Sequence, residues 1–103
     1  MSSLETRNVR GNLLDLGLDQ GAESLEVGLS ASIIQYKDEF QLVGDEQLIL
    51  IDQYGEWNAN LVDTDNMPDG SHYVFKAEGR IYRRLVPLSA ADWRFRDLPA
   101  FGC

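Results

Sequence analysis

Hydrophobic and polar residues alternate along much of this chain, in short segments that are separated by turn-forming residues. In the first segment, 14–19, every second residue is leucine, and the alternation returns in 25–29 after Gln20-Gly21. A period of two residues is typical of antiparallel strands, so we predict a hairpin here. The alternative is a helix over 12–25 that Asn12 would cap, although each of its two glycines would destabilise it by about 1 kcal/mol.

Two further pairs of alternating segments predict hairpins with two-residue turns at Asp38-Glu39 and Glu78-Gly79. The arms of the first hairpin are 32–37 and 40–43, and the arms of the second are 71–77 and 80–86. Both arms of the second hairpin are rich in β-branched and aromatic residues, which favour strands.

One segment, Gln47–Asp52, carries aliphatic side chains on both of its faces. Such a strand is typical of the centre of a sheet that is covered on both sides, or of a subunit interface. A short loop at 53–55 leads into a further alternating segment, 57–62. The polar stretch Asp63–Gly70 then predicts a loop, because its proline and its Asp-Gly pair prevent regular strand pairing.

The end of the chain is less regular. Ser89 and Asp92 have the spacing of a capping box, which predicts a single helical turn around 90–94, followed by an extended tail over 97–103. Taken together, the segments predict one domain, 1–103, that is mainly β: an antiparallel barrel, roll or sandwich of about six to eight strands. The alternative is an α+β fold with the N-terminal helix. The predicted core comprises Leu16, Leu25, Val27, Ile33, Leu48, Leu50, Trp57, Val74, Ile81 and Leu85.

Composition agrees with a globular domain, since 44% of the residues are hydrophobic and 25% are charged. The only cysteine is Cys103, so the chain has no internal disulfide, which favours a reducing compartment. The first ten residues lack the apolar run of a signal peptide. The longest aliphatic run, Leu48–Ile51, is too short to span a bilayer. We therefore expect a soluble, cytoplasmic protein.

Charge is distributed unevenly. Residues 11–75 contain thirteen carboxylates and one lysine, a net charge of −12, whereas residues 76–103 carry a net +3. With the first ten residues the chain has a net charge of −8. An acidic protein of this kind steers toward a partner with a basic surface and repels nucleic acid, so we expect a protein partner. The alternative is that the acidic residues of the turns only keep the protein soluble.

No catalytic or metal-binding motif is recognisable. The loop after Asp63 departs from a calcium-binding EF-hand at Met67, Pro68 and Val74. One histidine and one cysteine cannot supply a zinc site, and neighbouring Ser71 and His72 would point to opposite faces of a strand. We therefore expect no cofactor and favour a protein that is not an enzyme.

Two groups of residues are candidates for binding. The first is a small-molecule pocket lined by Trp57, Tyr73, Phe75 and Tyr82. The second is an interaction surface that joins acidic loop residues to C-terminal arginines and an aromatic residue: Asp63, Asp65, Asp69, Arg83, Arg84, Trp93, Arg94 and Arg96. For the arginines Arg83 and Arg84 we expect pairing with carboxylates of neighbouring strands, with Trp93 and Phe95 covering one end of the core.

These features favour a small, acidic, non-catalytic protein that docks on another macromolecule. The alternative is a small-molecule-binding barrel, or a modest enzyme, that uses the aromatic pocket. We also predict a homodimer, because about a hundred residues with little helix cannot cover both faces of strands such as Gln47–Asp52.

Overall fold

The computed structural model describes residues 6–17, 23–31, 33–36, 40–43 and 46–101. These residues form nine strands and two short 3-10 turns. The strands are β1 (Thr6–Asn12), β2 (Ser24–Leu29), β3 (Ile33–Tyr36), β4 (Phe40–Val43), β5 (Gln47–Leu50), β6 (Glu56–Val62), β7 (Tyr73–Ala77), β8 (Arg80–Arg84) and β9 (Asp92–Arg94). The 3-10 turns are Leu13–Leu16 and Phe95–Asp97.

The strands are arranged in two main sheets and a separate hairpin. Sheet A has the order β6-β1-β9 and sheet B the order β5-β2-β7-β8, while β3 and β4 pair only with each other among the described strands. All pairs are antiparallel except β1 with β9. The sheets do not close into a barrel, so the predicted mainly β class is confirmed in its sandwich or roll form. No helix among the described residues is long and apolar enough to cross a membrane.

The hairpin of β7 and β8 confirms the prediction from Glu78-Gly79. Both turn residues have positive φ, 48° at Glu78 and 79° at Gly79, and this backbone twist matches the twist of the flanking strands. The register runs from Tyr73 opposite Arg84 to Ala77 opposite Arg80. The hairpin of β3 and β4 is also confirmed, whereas its predicted turn at Asp38-Glu39 lies outside the described residues.

The predicted first strand is wrong over residues 14–17, whereas residues 18–19 and the predicted turn at Gln20-Gly21 lie outside the described residues. Residues 13–16 instead form a 3-10 turn whose N-terminus is closed by a reciprocal pair of hydrogen bonds. The Asp15 amide donates to Asn12 Oδ1 (3.0 Å), and the Asn12 amide donates to Asp15 Oδ2 (3.2 Å). Gly17, in the left-handed region with φ 72°, ends the turn. Asn12 therefore does cap a helical segment, as in the alternative interpretation, but a segment of only one turn.

The predicted helical turn at 90–94 is also wrong. Asp92–Arg94 forms β9, which pairs in parallel with β1 from Asn8 to Arg10. The helical turn comes one step later, at Phe95–Asp97, where it buries Phe95. The chain then runs extended, and Ala100 bridges to Arg84.

The core lies between the two sheets and centres on aromatic rings. Trp57 of sheet A meets Phe75 of sheet B, with ring centroids 6.1 Å apart. Phe95 packs edge-on against both rings, at 5.7 Å and 5.0 Å. Gly11 makes this packing possible, because a Cβ at that position would lie 2.6 Å from the indole ring of Trp57. The sequence-predicted core residues Leu16, Leu25, Val27 and Trp57 are all buried.

The other predicted core positions are wrong or only half right. Val74 and Leu85 are half-buried, and four further residues are exposed: Ile33, Leu48, Leu50 and Ile81. Where a predicted core residue is not buried, a neighbour in its strand points into the core. These neighbours are Ile34, Ile49, Phe75 and Tyr82. The prediction that Gln47–Asp52 is a central strand also fails, because β5 lies at the edge of sheet B.

Candidate functional site

The predicted aromatic pocket is occupied by the protein's own side chains. Trp57, Phe75 and Tyr82 all contact the ring of Phe95, which lies between them in the core. Tyr73 is separate from this group: its hydroxyl donates to Val62 O (2.8 Å) and accepts from Val62 N (3.0 Å). The four residues therefore stabilise the core and the end of β6.

The acidic loop residues do not form one surface. Asp63 is only 1% exposed, so its carboxylate is not available to a partner. It accepts hydrogen bonds from the Tyr36 hydroxyl (2.5 Å) and from the backbone and side-chain nitrogens of Asn66. Asp65 accepts from the Leu88 amide (2.8 Å), and Asp69 is exposed. Burial, together with the hydrogen bond to Asp63, raises the pKa of Tyr36 to about 12.

The arginines of β8 do not find the predicted carboxylate partners among the described residues. Arg83 Nη1 lies 3.0 Å from His72 Nε2. Because a guanidinium only donates, Nε2 accepts and Nδ1 donates to Gly70 O (2.9 Å). The His72 ring stacks on Phe101 with centroids 3.9 Å apart. Arg84 instead lies over the rings of Tyr82 and Phe95. These contacts attach the C-terminal segment to sheet B.

The outer face of sheet B is charged in its centre and apolar at its edges. Lys76 Nζ contacts Glu46 Oε1 at 2.6 Å, and this contact lowers the pKa of Glu46. Glu26 lies between Leu48 and Lys76 in the sheet. Its carboxyl group shares a hydrogen bond with Glu46, and this bond and the repulsion between the two carboxylates raise the pKa of Glu26. On the opposite edge strand, β8, Ile81 lies directly across from Lys76 of β7.

Strand β5 is the more apolar of the two edges of sheet B. Leu48 and Leu50 are 63% and 73% exposed on its outer face. Strand β2 is its only neighbour among the described strands, so one side of the β5 backbone has no ladder partner. Edge strands of this kind are templates for pairing with another chain.

A polar cleft of about 240 Å³ lies at the end of sheet A where β1 ends and β6 begins. Arg10 of β1 lies directly opposite Arg94 of β9 and opposite Asn58 of β6. The cleft is lined by three arginines, three carboxylates and four other residues: Arg10, Arg94, Arg96, Asp15, Asp52, Glu56, Gly11, Asn12, Trp57 and Asn58. Of these, Arg94 and Arg96 belong to the predicted interaction surface, and Trp57 belongs to the predicted aromatic pocket.

The three arginines of this cleft have no hydrogen bond or salt bridge with any described residue. Two of the carboxylates are already engaged by backbone amides. Asp15 belongs to the 3-10 cap, and Asp52 Oδ1 accepts from the amides of Tyr54 and Glu56, both at 2.9 Å. The cleft therefore offers free cationic donors within a chain whose net charge is negative.

The sequence matches no protein-family model, and no curated protein is significantly similar to it. Two features of the structure lack partners among the described residues and point to binding. One is the apolar edge at β5, and the other is the arginine cleft on sheet A.

Proposed function

We propose that the protein is a small non-catalytic binding protein that acts as a homodimer and docks on another macromolecule. The observation that carries the dimer is the edge strand β5, with two exposed leucines and one unpaired side. Burying a leucine side chain contributes about 1.5–3 kcal/mol, and pairing the edge satisfies its free amides and carbonyls. The same edge left open would favour aggregation.

Antiparallel pairing of β5 with β5 of a second copy gives a self-complementary contact. With the twofold axis at Ile49, Leu48 of one copy lies opposite Leu50 of the other, and their side chains share the outer face. The four leucines then cover one another on a sheet of eight strands. The charge of −8 on each chain opposes this association, but salt screens charges that are more than about 8 Å apart at physiological ionic strength.

The acidic character of the chain supports a partner with a basic surface. Exposed carboxylates such as Asp69 and Glu78 remain available outside β5, whereas Asp63 is committed to the interior. Such a surface accelerates encounter with a basic protein and disfavours nucleic acid. We place this activity in the cytoplasm, because the chain has a single cysteine and no disulfide framework.

Sedimentation equilibrium of wild type and two matched variants tests the dimer. Wild type should sediment at about twice its mass of 11.6 kDa at micromolar concentration. Leu50→Gln should shift the mass toward the monomer, because it places an amide in the leucine contact. Ile81→Gln changes another exposed aliphatic residue, on the other edge strand, β8, and should leave the dimer intact. A wild type that is strictly monomeric, or equal effects of the two substitutions, would contradict pairing through β5.

A further inference from the structure

We infer that the cleft of sheet A is a second binding site, which takes a side-chain carboxylate of an acidic protein segment. It lies on the sheet opposite β5, so it is independent of the proposed dimer contact. Two observations support it: two arginines lie in direct register, and no described carboxylate makes a salt bridge with them.

The first observation is the register of β1 and β9. Arg10 and Arg94 are direct partners on neighbouring strands, which lie about 4.8 Å apart, and Arg96 follows in the next turn. Like charges directly opposite each other destabilise a sheet. A carboxylate bound between the two guanidinium groups removes that repulsion and accepts bidentate hydrogen bonds from their planar donors.

The second observation is that no described carboxylate makes a salt bridge with these arginines. Asp15 and Asp52 accept backbone amides that hold the 3-10 turn and the turn before β6. Glu56 lies opposite Asn12, and it makes no salt bridge with a described arginine. The donor groups of the arginines therefore remain available to a carboxylate from outside.

The indole of Trp57 provides a probe of the cleft. Trp57 is part of the cleft lining and is only 3% exposed, and its Nε1–H has no acceptor among the described residues. Because this nitrogen is closed to solvent, a ligand in the cleft does not contact it directly. Its NMR resonance nevertheless reports a ligand that binds beside the ring.

The chemistry of the cleft favours a protein carboxylate over nucleic acid. The three carboxylates of the lining repel every anion, so the three arginines favour one carboxylate group over a continuous chain of phosphates. Single-stranded nucleic acid also needs exposed rings on which bases stack, and Trp57 is buried. The volume, about 240 Å³, is below the range of drug-sized ligand pockets and suits one or two side chains.

Proton–nitrogen NMR of the indole groups gives a direct test. The chain has two tryptophans, so Trp93→Phe assigns the Trp57 resonance. We expect titration with N-acetyl tetraglutamate amide to move the Trp57 indole resonance in a saturable way, with an affinity that falls as salt is added. Inorganic phosphate and an eight-residue oligothymidylate serve as comparison ligands. Tighter binding of either one than of tetraglutamate would overturn the assignment to a protein carboxylate.

Variants decide whether the arginines are responsible. Arg10→Gln and Arg94→Gln should each weaken tetraglutamate binding about tenfold or more, because each removes a charged donor. Arg80→Gln removes an exposed arginine of sheet B, outside the cleft, and should leave the affinity unchanged. Circular dichroism confirms that each variant is folded. Equal losses in all three variants, or no movement of the Trp57 resonance at millimolar peptide, would overturn the proposal.

Discussion

The buried hydrogen bond between Tyr36 and Asp63 is the interaction whose removal has the clearest expected cost. Tyr36 is 3% exposed and Asp63 1% exposed, and their contact joins β3 to the loop after β6. Tyr36→Phe keeps the ring and removes only the hydroxyl donor. Loss of a hydrogen bond to a charged acceptor costs about 1.5–3 kcal/mol, a large part of the 5–15 kcal/mol that is typical of a domain.

Urea unfolding at neutral pH measures this cost as a change in the free energy of unfolding at constant m-value. A loss of about 2 kcal/mol corresponds to a decrease in Tm of roughly 10 °C for a domain of this size. Tyr54→Phe is the matched control, since Tyr54 is exposed, and should change the free energy by less than about 0.5 kcal/mol. Wild-type stability in Tyr36→Phe would refute the reasoning.

Alkaline pH gives a second readout of the same bond. The pKa of Tyr36 is raised to about 12, against an ordinary tyrosine value of about 10. The stability that Tyr36 contributes is therefore complete below about pH 10 and is lost as the pH rises toward 12. The gap between wild type and Tyr36→Phe should narrow over that interval. A gap that widens would show that the sign of the coupling is wrong.

Two other predictions concern the C-terminal attachment and the face of each strand that is buried. His72→Ala removes the ring that stacks on Phe101 and accepts a hydrogen bond from Arg83. The Phe101 amide, which donates to Arg83 O, should then exchange with solvent much faster. Unchanged amide exchange would contradict the attachment of the C-terminal segment through His72. Phe75→Ala should cost about 3–5 kcal/mol because the residue is fully buried. Ile81→Ala should cost well under 1 kcal/mol, because Ile81 is exposed and lies outside the proposed dimer contact. Thermal melts that place the two variants together would show that the buried face is misassigned.

Sequence patterns predicted the hairpins β3–β4 and β7–β8, but not the one expected over 14–29, because the signals of these two are local. The turn Glu78-Gly79 is flanked by two strand-forming segments, and no distant contact is needed to fix it. The same patterns could not choose a buried face where both faces are apolar. The alternation at Leu48 and Ile49 allows either residue to be the buried one. The position of β5 at the edge of sheet B determines which of the two is buried. That position depends on contacts with β2, far away in sequence.

The cleft was missed for a related reason. Arg10 lies in β1, where polar residues alternate with Val9 and Gly11, but the segment resembles an irregular N-terminus until its partners are known. Its partners are β6 and β9, and the pairing with β9 is parallel and more than eighty residues away in sequence. No short-range pattern brings Arg10 and Arg94 together. The capping spacing at Ser89 was equally misleading, because the parallel ladder with β1 takes Asp92–Arg94 into a strand.

Amide hydrogen exchange in β5 tests the central claim, that this edge pairs with a second copy, most directly. In a strand at the edge of a sheet, alternate amides of 47–50 point away from β2 and are open to solvent. If β5 pairs with β5, those outward amides are protected in wild type at micromolar concentration, where the dimer forms, and Leu50→Gln removes the protection. Outward amides that exchange as fast in wild type as in Leu50→Gln would contradict the claim.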